Sequence, residues 1–95
     1  MAIAVLFYHP NLTLDAFDEV DRRMHDAIGG GEPAGLIHHS VSGEDGALTT
    51  FEIWNSEEEF AAFGAVLMPI VQELELEAGL PTIMPLHRLV QEARP

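Results

Sequence analysis

Ninety-five residues, 47% of them hydrophobic, suffice for one small domain over residues 1–95 with a core that has little apolar surface to spare. Sixteen Asp and Glu stand against four Arg and no Lys, a formal net charge of −12 that repels phosphate backbones and anionic lipid, so nucleic acid and membrane surfaces are excluded as partners. The absence of cysteine excludes disulfides and thiol nucleophiles, the opening residues lack a signal-peptide pattern, and no run approaches the ~20 apolar residues of a membrane span, so a cytoplasmic protein is expected.

Residues 2–8 are almost continuously apolar, as in a strand covered on both faces, and His9-Pro10-Asn11 ends the run because proline cannot donate to a ladder. Thr13 is placed to cap a helix whose apolar residues Leu14, Phe17, Val20, Met24 and Ile28 recur at spacings of three and four. Three glycines, Gly29 to Gly31, stop it. A second strand is expected over 35–42 and a third over 47–54, joined by Gly43-Glu44-Asp45-Gly46. If Asp45-Gly46 is a two-residue turn, opposed residue numbers sum to 91 and His39 lies across from Glu52. That pairing puts Ile37, His39 and Val41 on the face of Thr50, Glu52 and Trp54.

From Phe51 to Phe63 the hydrophobic period switches from 2 to 3.6, the mark of a strand-to-helix corner. Ser56 and Glu59 fit a capping box, in which the hydroxyl accepts from the N3 amide and the glutamate reaches back to the N-cap amide. Phe60, Phe63, Leu67, Ile70 and Leu74 form the buried stripe of the second helix, with Pro69 expected to kink or divide it and Gly79 to end the run. Residues 81–90 read as a fourth strand, with Pro85 at an edge or bulge, and 91–95 as a short tail.

The order β-α-β-β-α-β with short connections gives an α+β, ferredoxin-like fold, a four-stranded antiparallel sheet with both helices on one face. The first strand is apolar on both sides, so one sheet face lacks a cover, and a second copy packed sheet to sheet, a homodimer, is the simplest one.

The corner Glu52-Ile53-Trp54-Asn55-Ser56-Glu57-Glu58 resembles the E-x-W-x-S-x-E corner of the dimeric α/β-barrel superfamily, in particular the antibiotic biosynthesis monooxygenase-like proteins. Gly35-Leu36-Ile37-His38-His39 and the Pro-rich last strand are similar to its small bacterial members. The resemblance implies the dimeric α/β barrel and a small-molecule enzyme that works without a built-in cofactor on a hydrophobic or aromatic substrate. Two departures bear on activity. Phe63 stands where monooxygenase relatives often carry a histidine, and the second helix has no histidine to ligate heme iron, so heme binding of that kind is not expected.

Among polar residues, His39 and Glu52 make the best catalytic pair, because a carboxylate opposite an imidazole raises its basicity and fixes its tautomer. The plainer reading is a cross-strand hydrogen bond between two half-buried groups. Trp54, His9, His87 and Tyr8 are candidate substrate-binding residues, with His9 and His87 on neighbouring strands of the expected topology. Trp54 at a strand end serves equally well as core. His38 and His39 diverge to opposite faces and cannot chelate one ion, and no spacing draws other ligands together, so no metal is expected. Three functions follow: the monooxygenase-like enzyme, a non-catalytic ligand-binding or structural homodimer, and an isomerase or cyclase using the same histidine. A closed apolar cavity into which His39 points separates the enzyme or binder from the purely structural dimer.

Overall fold

The computed structural model describes residues 1–91, so of the tail expected over 91–95 all but Gln91 lies outside the described residues. Its elements follow the expected order: β1 (Ile3–His9), α1 (Leu14–Ile28), β2 (Leu36–Glu44), β3 (Ala47–Trp54), α2 (Glu57–Glu73) and β4 (Thr82–Pro85). The four strands form one sheet in the order β2-β3-β1-β4 with every neighbouring pair antiparallel. This is the ferredoxin-like α+β arrangement, with β1 and β3 central.

The hairpin register is set by its turn. Glu44 pairs with Ala47 around Asp45-Gly46, and the pairing runs back through Val41↔Thr50 and His39↔Glu52. It then shifts by one residue, because a bulge at Ile37 leaves Leu36 opposite Trp54. The expected face sharing therefore holds for His39 and Val41 but not for Ile37, which is 44% exposed while Leu36 packs against the core in its stead. Gly43 has φ +102°, and a β-carbon there would lie 2.8 Å from the Ala47 carbonyl oxygen, so the approach to the turn requires glycine.

Both helices begin at side-chain caps. Thr13 Oγ1 accepts from the Ala16 amide at 3.1 Å and Ser56 Oγ from the Glu59 amide at 3.2 Å. The second cap is not the full reciprocal box, since the Glu59 carboxylate accepts from the Ser56 hydroxyl and the Asn55 side-chain amide. The Asn55 backbone amide donates instead to the Gly35 carbonyl, tying the start of α2 to the start of β2.

Pro69 does not divide α2, which runs unbroken to Glu73. Proline removes one amide and crowds the preceding turn. The packing of Phe60, Phe63 and Ile70 outweighs that loss, as tertiary burial commonly outweighs propensity. Nor is Gly79 the stop. Glu75 takes a left-handed φ of 56°, and the Glu75 and Leu76 amides donate to the Gln72 and Val71 carbonyls in a Schellman closure, freeing residues 74–81 as a connecting strap.

The fourth strand is shorter than expected, four residues instead of the span 81–90. Pro85 ends it, and beyond that point the Leu86 amide donates to the Ala2 carbonyl.

The core lies between the sheet and the helices: Ile3, Val5 and Trp54, with Phe7, Leu36, Phe60 and Phe63 packed against them. The register places Ala4, Leu6 and Tyr8 of β1, Phe51 and Ile53 of β3 and Met84 of β4 on the opposite face. There Leu6, Tyr8 and Met84 are 38%, 58% and 39% exposed. No helix among the described residues is long and apolar enough to cross a membrane.

Candidate functional site

The helix face of the sheet is not filled by the helices it carries. Between them lies a cavity of about 500 Å³, floored by β1, β2 and β3, walled by α1 and α2 and bordered by the 74–81 strap. Its lining is mainly apolar, with Phe7, Phe17, Trp54, Phe60, Phe63 and Leu67 among the contributors. Six lining residues are also exposed, Glu32, His39, Met68, Glu77, Ala78 and Leu80, and they mark its opening. Gly79 lets the strap close on the sheet, since a β-carbon there would come within 2.9 Å of the Tyr8 carbonyl oxygen.

Across this floor runs a short polar row, His39 of β2, Glu52 and Thr50 of β3, and His9 of β1. Alternation along a strand puts Thr50, Glu52 and Trp54 on one face, and the antiparallel registers bring the two histidines to it from either side. Glu52 is 8% exposed. Its Oε1 accepts a 2.9 Å hydrogen bond from the Trp54 indole N–H, and its Oε2 lies 3.7 Å from His39 Nε2, an ionic approach longer than a hydrogen bond. Burial pushes the Glu52 carboxyl up from its ordinary value of 4.5, with the Trp54 donor and the His39 charge acting in the other direction. His39 stacks on Phe17 of α1, ring centroids 5.9 Å apart and planes 10° from parallel, and the exposure of its side chain is 30%.

At the far end of the row, His9 Nε2 lies 3.3 Å from the Thr50 hydroxyl while the ring stacks on Phe7 at 5.4 Å. Partial burial lowers the His9 pKa from 6.5, because desolvation disfavours the charged imidazole. Each imidazole is thus held flat against a phenylalanine and directed along the floor.

The structure separates the six residues singled out in the sequence. His39, Glu52, Trp54 and His9 line the cavity; Tyr8 and His87 do not. Tyr8 alternates away from Phe7 and His9 onto the opposite sheet face. His87 lies past the end of β4, and because β4 runs antiparallel to β1 with Ile3↔Pro85, it sits beyond the Ile3 end of the sheet while His9 closes the other. β1 and β4 are neighbours as expected, yet their histidines are at opposite ends. Trp54 is fully buried against Phe60 and Phe63, so it is core and cavity wall at once.

Sequence reasoning missed three parts of the site. The Trp54–Glu52 hydrogen bond was readable from their i, i+2 spacing on a strand. The His9–Thr50 contact is a diagonal across the β1–β3 register, and the Phe17 stack depends on how α1 docks, which no local pattern records. Among the described residues no group of three or more His, Asp or Glu is placed to hold a metal ion.

No family model matches the chain. Solved structures do. A variant of SnoaB, a cofactor-independent oxygenase from Streptomyces nogalater, superposes with a TM-score of 0.67 at 15% identity, over 96% of this chain and 98% of that one. Rv0793 from Mycobacterium tuberculosis gives 0.66 at 17% identity over 95% and 100%. A protein from Nitrosomonas europaea provisionally classed as an antibiotic biosynthesis monooxygenase gives 0.59 at 19% identity over 90% and 97%. All three share the ferredoxin-like fold described above with this chain. The likeness runs over nearly the whole of each chain. At these identities it is a likeness of fold.

Proposed function

We propose that the protein is a homodimeric small-molecule enzyme of the monooxygenase-like group, which oxygenates a hydrophobic, aromatic substrate without a built-in cofactor. The observation that carries this reading is the polar row inside an otherwise apolar cavity: a buried carboxylate and two aromatic-stacked imidazoles around space for a fused-ring molecule. The fold shared with a cofactor-independent oxygenase supports it.

In such a reaction the substrate supplies the electrons. An activated ring CH2 gives a proton to the His39–Glu52 pair, the carbanion combines with O2 to form a hydroperoxide, and loss of water leaves a ketone, so that CH2 and O2 become C=O and H2O. Burial, by raising the Glu52 carboxyl, brings its proton affinity nearer that of the carbon acid. Trp54 holds the carboxylate in place through its indole N–H, and the apolar walls keep water from quenching the carbanion. The partner copy covers the sheet face bearing Leu6, Tyr8 and Met84.

The test is aerobic incubation with polycyclic phenols bearing an activated CH2, following O2 uptake and product mass together. One O2 consumed per ketone formed, lost in His39→Ala, supports the reading. A ligand that binds in the cavity and is recovered unchanged with no O2 uptake makes the protein a binding module instead.

A further inference from the structure

Among the described residues, every Asp, Glu, Lys or Arg that lines the cavity is acidic. Glu52 lies on its floor, Asp21 of α1 borders it, and Glu32 and Glu77 stand at its opening, while the chain has no lysine and none of its arginines lines the cavity among the described residues. Arg22 and Arg23 are engaged elsewhere, with Glu19, Asp26 and Glu73, and Arg88 is exposed beyond β4. Asp21 and Glu32 share one rim cation when His25 is protonated, lying 3.4 Å from its two ring nitrogens. His9 and His39 complete the polar lining.

Glu52 also has an acceptor to spare. Its Oε1 is occupied by the Trp54 N–H, whereas Oε2, 3.7 Å from His39 Nε2, has no partner within hydrogen-bond distance although the residue is more than nine-tenths buried. A carboxylate oxygen that faces an apolar cavity stabilises whatever donates to it and repels a second negative charge, more so than in open water. We infer that the cavity selects an apolar ligand that carries a hydrogen-bond donor and no negative charge, seats that donor on Glu52 Oε2, and rejects carboxylates and phosphates. This rests on the cavity being a small-molecule site and adds which molecules it takes. Substrates delivered as free acids or on phosphorylated carriers are ruled out on this reading, and the reaction that supplies the substrate must yield a neutral or amine-bearing product.

The probes are three bicyclic ligands of like size, 2-naphthylmethanol, 2-naphthylmethylamine and 2-naphthoate, titrated calorimetrically into the intact protein at neutral pH. The alcohol and amine bind, and the carboxylate is weaker by about tenfold or more, as like-charge apposition in a desolvated site requires. Glu52→Gln, which keeps an acceptor for the Trp54 N–H, narrows that gap, with the near-UV signal of the one tryptophan reporting that the fold is intact. The exposed pair Glu32→Gln with Glu77→Gln, which leaves the core untouched, strengthens carboxylate binding by about two- to threefold at low salt and by less at high salt. Naphthoate binding as tightly as the alcohol overturns the inference and leaves the small-molecule reading standing. Binding of none of the three overturns both.

Discussion

Replacing Trp54 by Phe isolates the bond on which the geometry of Glu52 depends. The indole is fully buried, its ring centroid 5.1 Å from Phe63 and 5.8 Å from Phe60, and its N–H donates at 2.9 Å to a carboxylate that is itself 8% exposed. A hydrogen bond to a charged group contributes about 1.5–3 kcal/mol, and its loss leaves Oε1 buried without a donor. The smaller ring adds about 1–2 kcal/mol for lost burial and an incompletely collapsed void. The sum, about 2.5–5 kcal/mol, is a large fraction of the roughly 5–15 kcal/mol that holds a domain together, and at about 4–8 °C per kcal/mol it lowers Tm by about 10 °C or more. Urea denaturation followed by far-UV circular dichroism measures it, since the variant has no tryptophan to fluoresce. Repeating Trp54→Phe in a Glu52→Gln background separates the two contributions, because an amide oxygen left without a donor costs less than a carboxylate. The cost should fall by about 1 kcal/mol or more there. The pH dependence adds a second reading. Glu52 is raised, so between its ordinary 4.5 and its folded value the native state holds more protons than the unfolded chain, and stability falls as pH rises through that window. Without the Trp54 donor, which holds the carboxyl down, the window extends to higher pH. A Trp54→Phe cost under about 1 kcal/mol, or one equal in both backgrounds, refutes the assignment of this bond as the anchor of the carboxylate.

Three further outcomes follow from the same geometry. His39→Ala should abolish turnover while shifting Tm by only a few degrees, about what losing a partly exposed ring stack gives, as thermal melts and O2 uptake on one preparation will show. His9 has a lowered pKa, so below its ordinary 6.5 the unfolded chain takes up the proton first and stability drops as pH falls through that window. Urea midpoints measured across it should flatten in His9→Gln relative to the parent, a difference that cancels the opposite slope due to Glu52. On the proposed dimer, Leu6→Glu places a charge in the middle of the open sheet face and should yield monomers in sedimentation velocity; a parent protein monomeric at micromolar concentration contradicts the dimer.

Local chemistry was legible where one residue type forces one conformation. Asp45-Gly46 set the turn, the turn set the register, and the register alone delivered His39 opposite Glu52. Thr13 and Ser56 announced their helices through caps that need nothing beyond the next turn. The reading failed where a distant contact decided the outcome. Pro69 argued for a break, but the burial of Ile70 and the aromatics ahead of it carries α2 through. Ile37 obeyed strict alternation on paper, and the bulge that sets it aside serves Leu36, which fits the core beside Trp54. His87 looked like a neighbour of His9 because adjacent strands were treated as adjacent residues; antiparallel direction and a four-residue β4 put them at opposite ends.

The stability of the fold explains the Trp54–Glu52 bond but not the rest of the polar row. A carboxylate buried where its charge is disfavoured, which His39 at 3.7 Å offsets only in part, and a second histidine whose burial lowers its pKa each work against folding. Leucine or valine at position 52 would satisfy the strand pattern and remove the buried charge, though it would take the acceptor from the Trp54 N–H. The helices, moreover, stop short of filling about 500 Å³ above these groups, although voids of that kind cost dispersion contacts along every wall. Local rules that favour folding are broken together here, at neighbouring residues on one sheet face, and the breaches share one product: open, apolar space beside an acceptor and two imidazoles. Costs that converge on a single place are what the proposed small-molecule site entails.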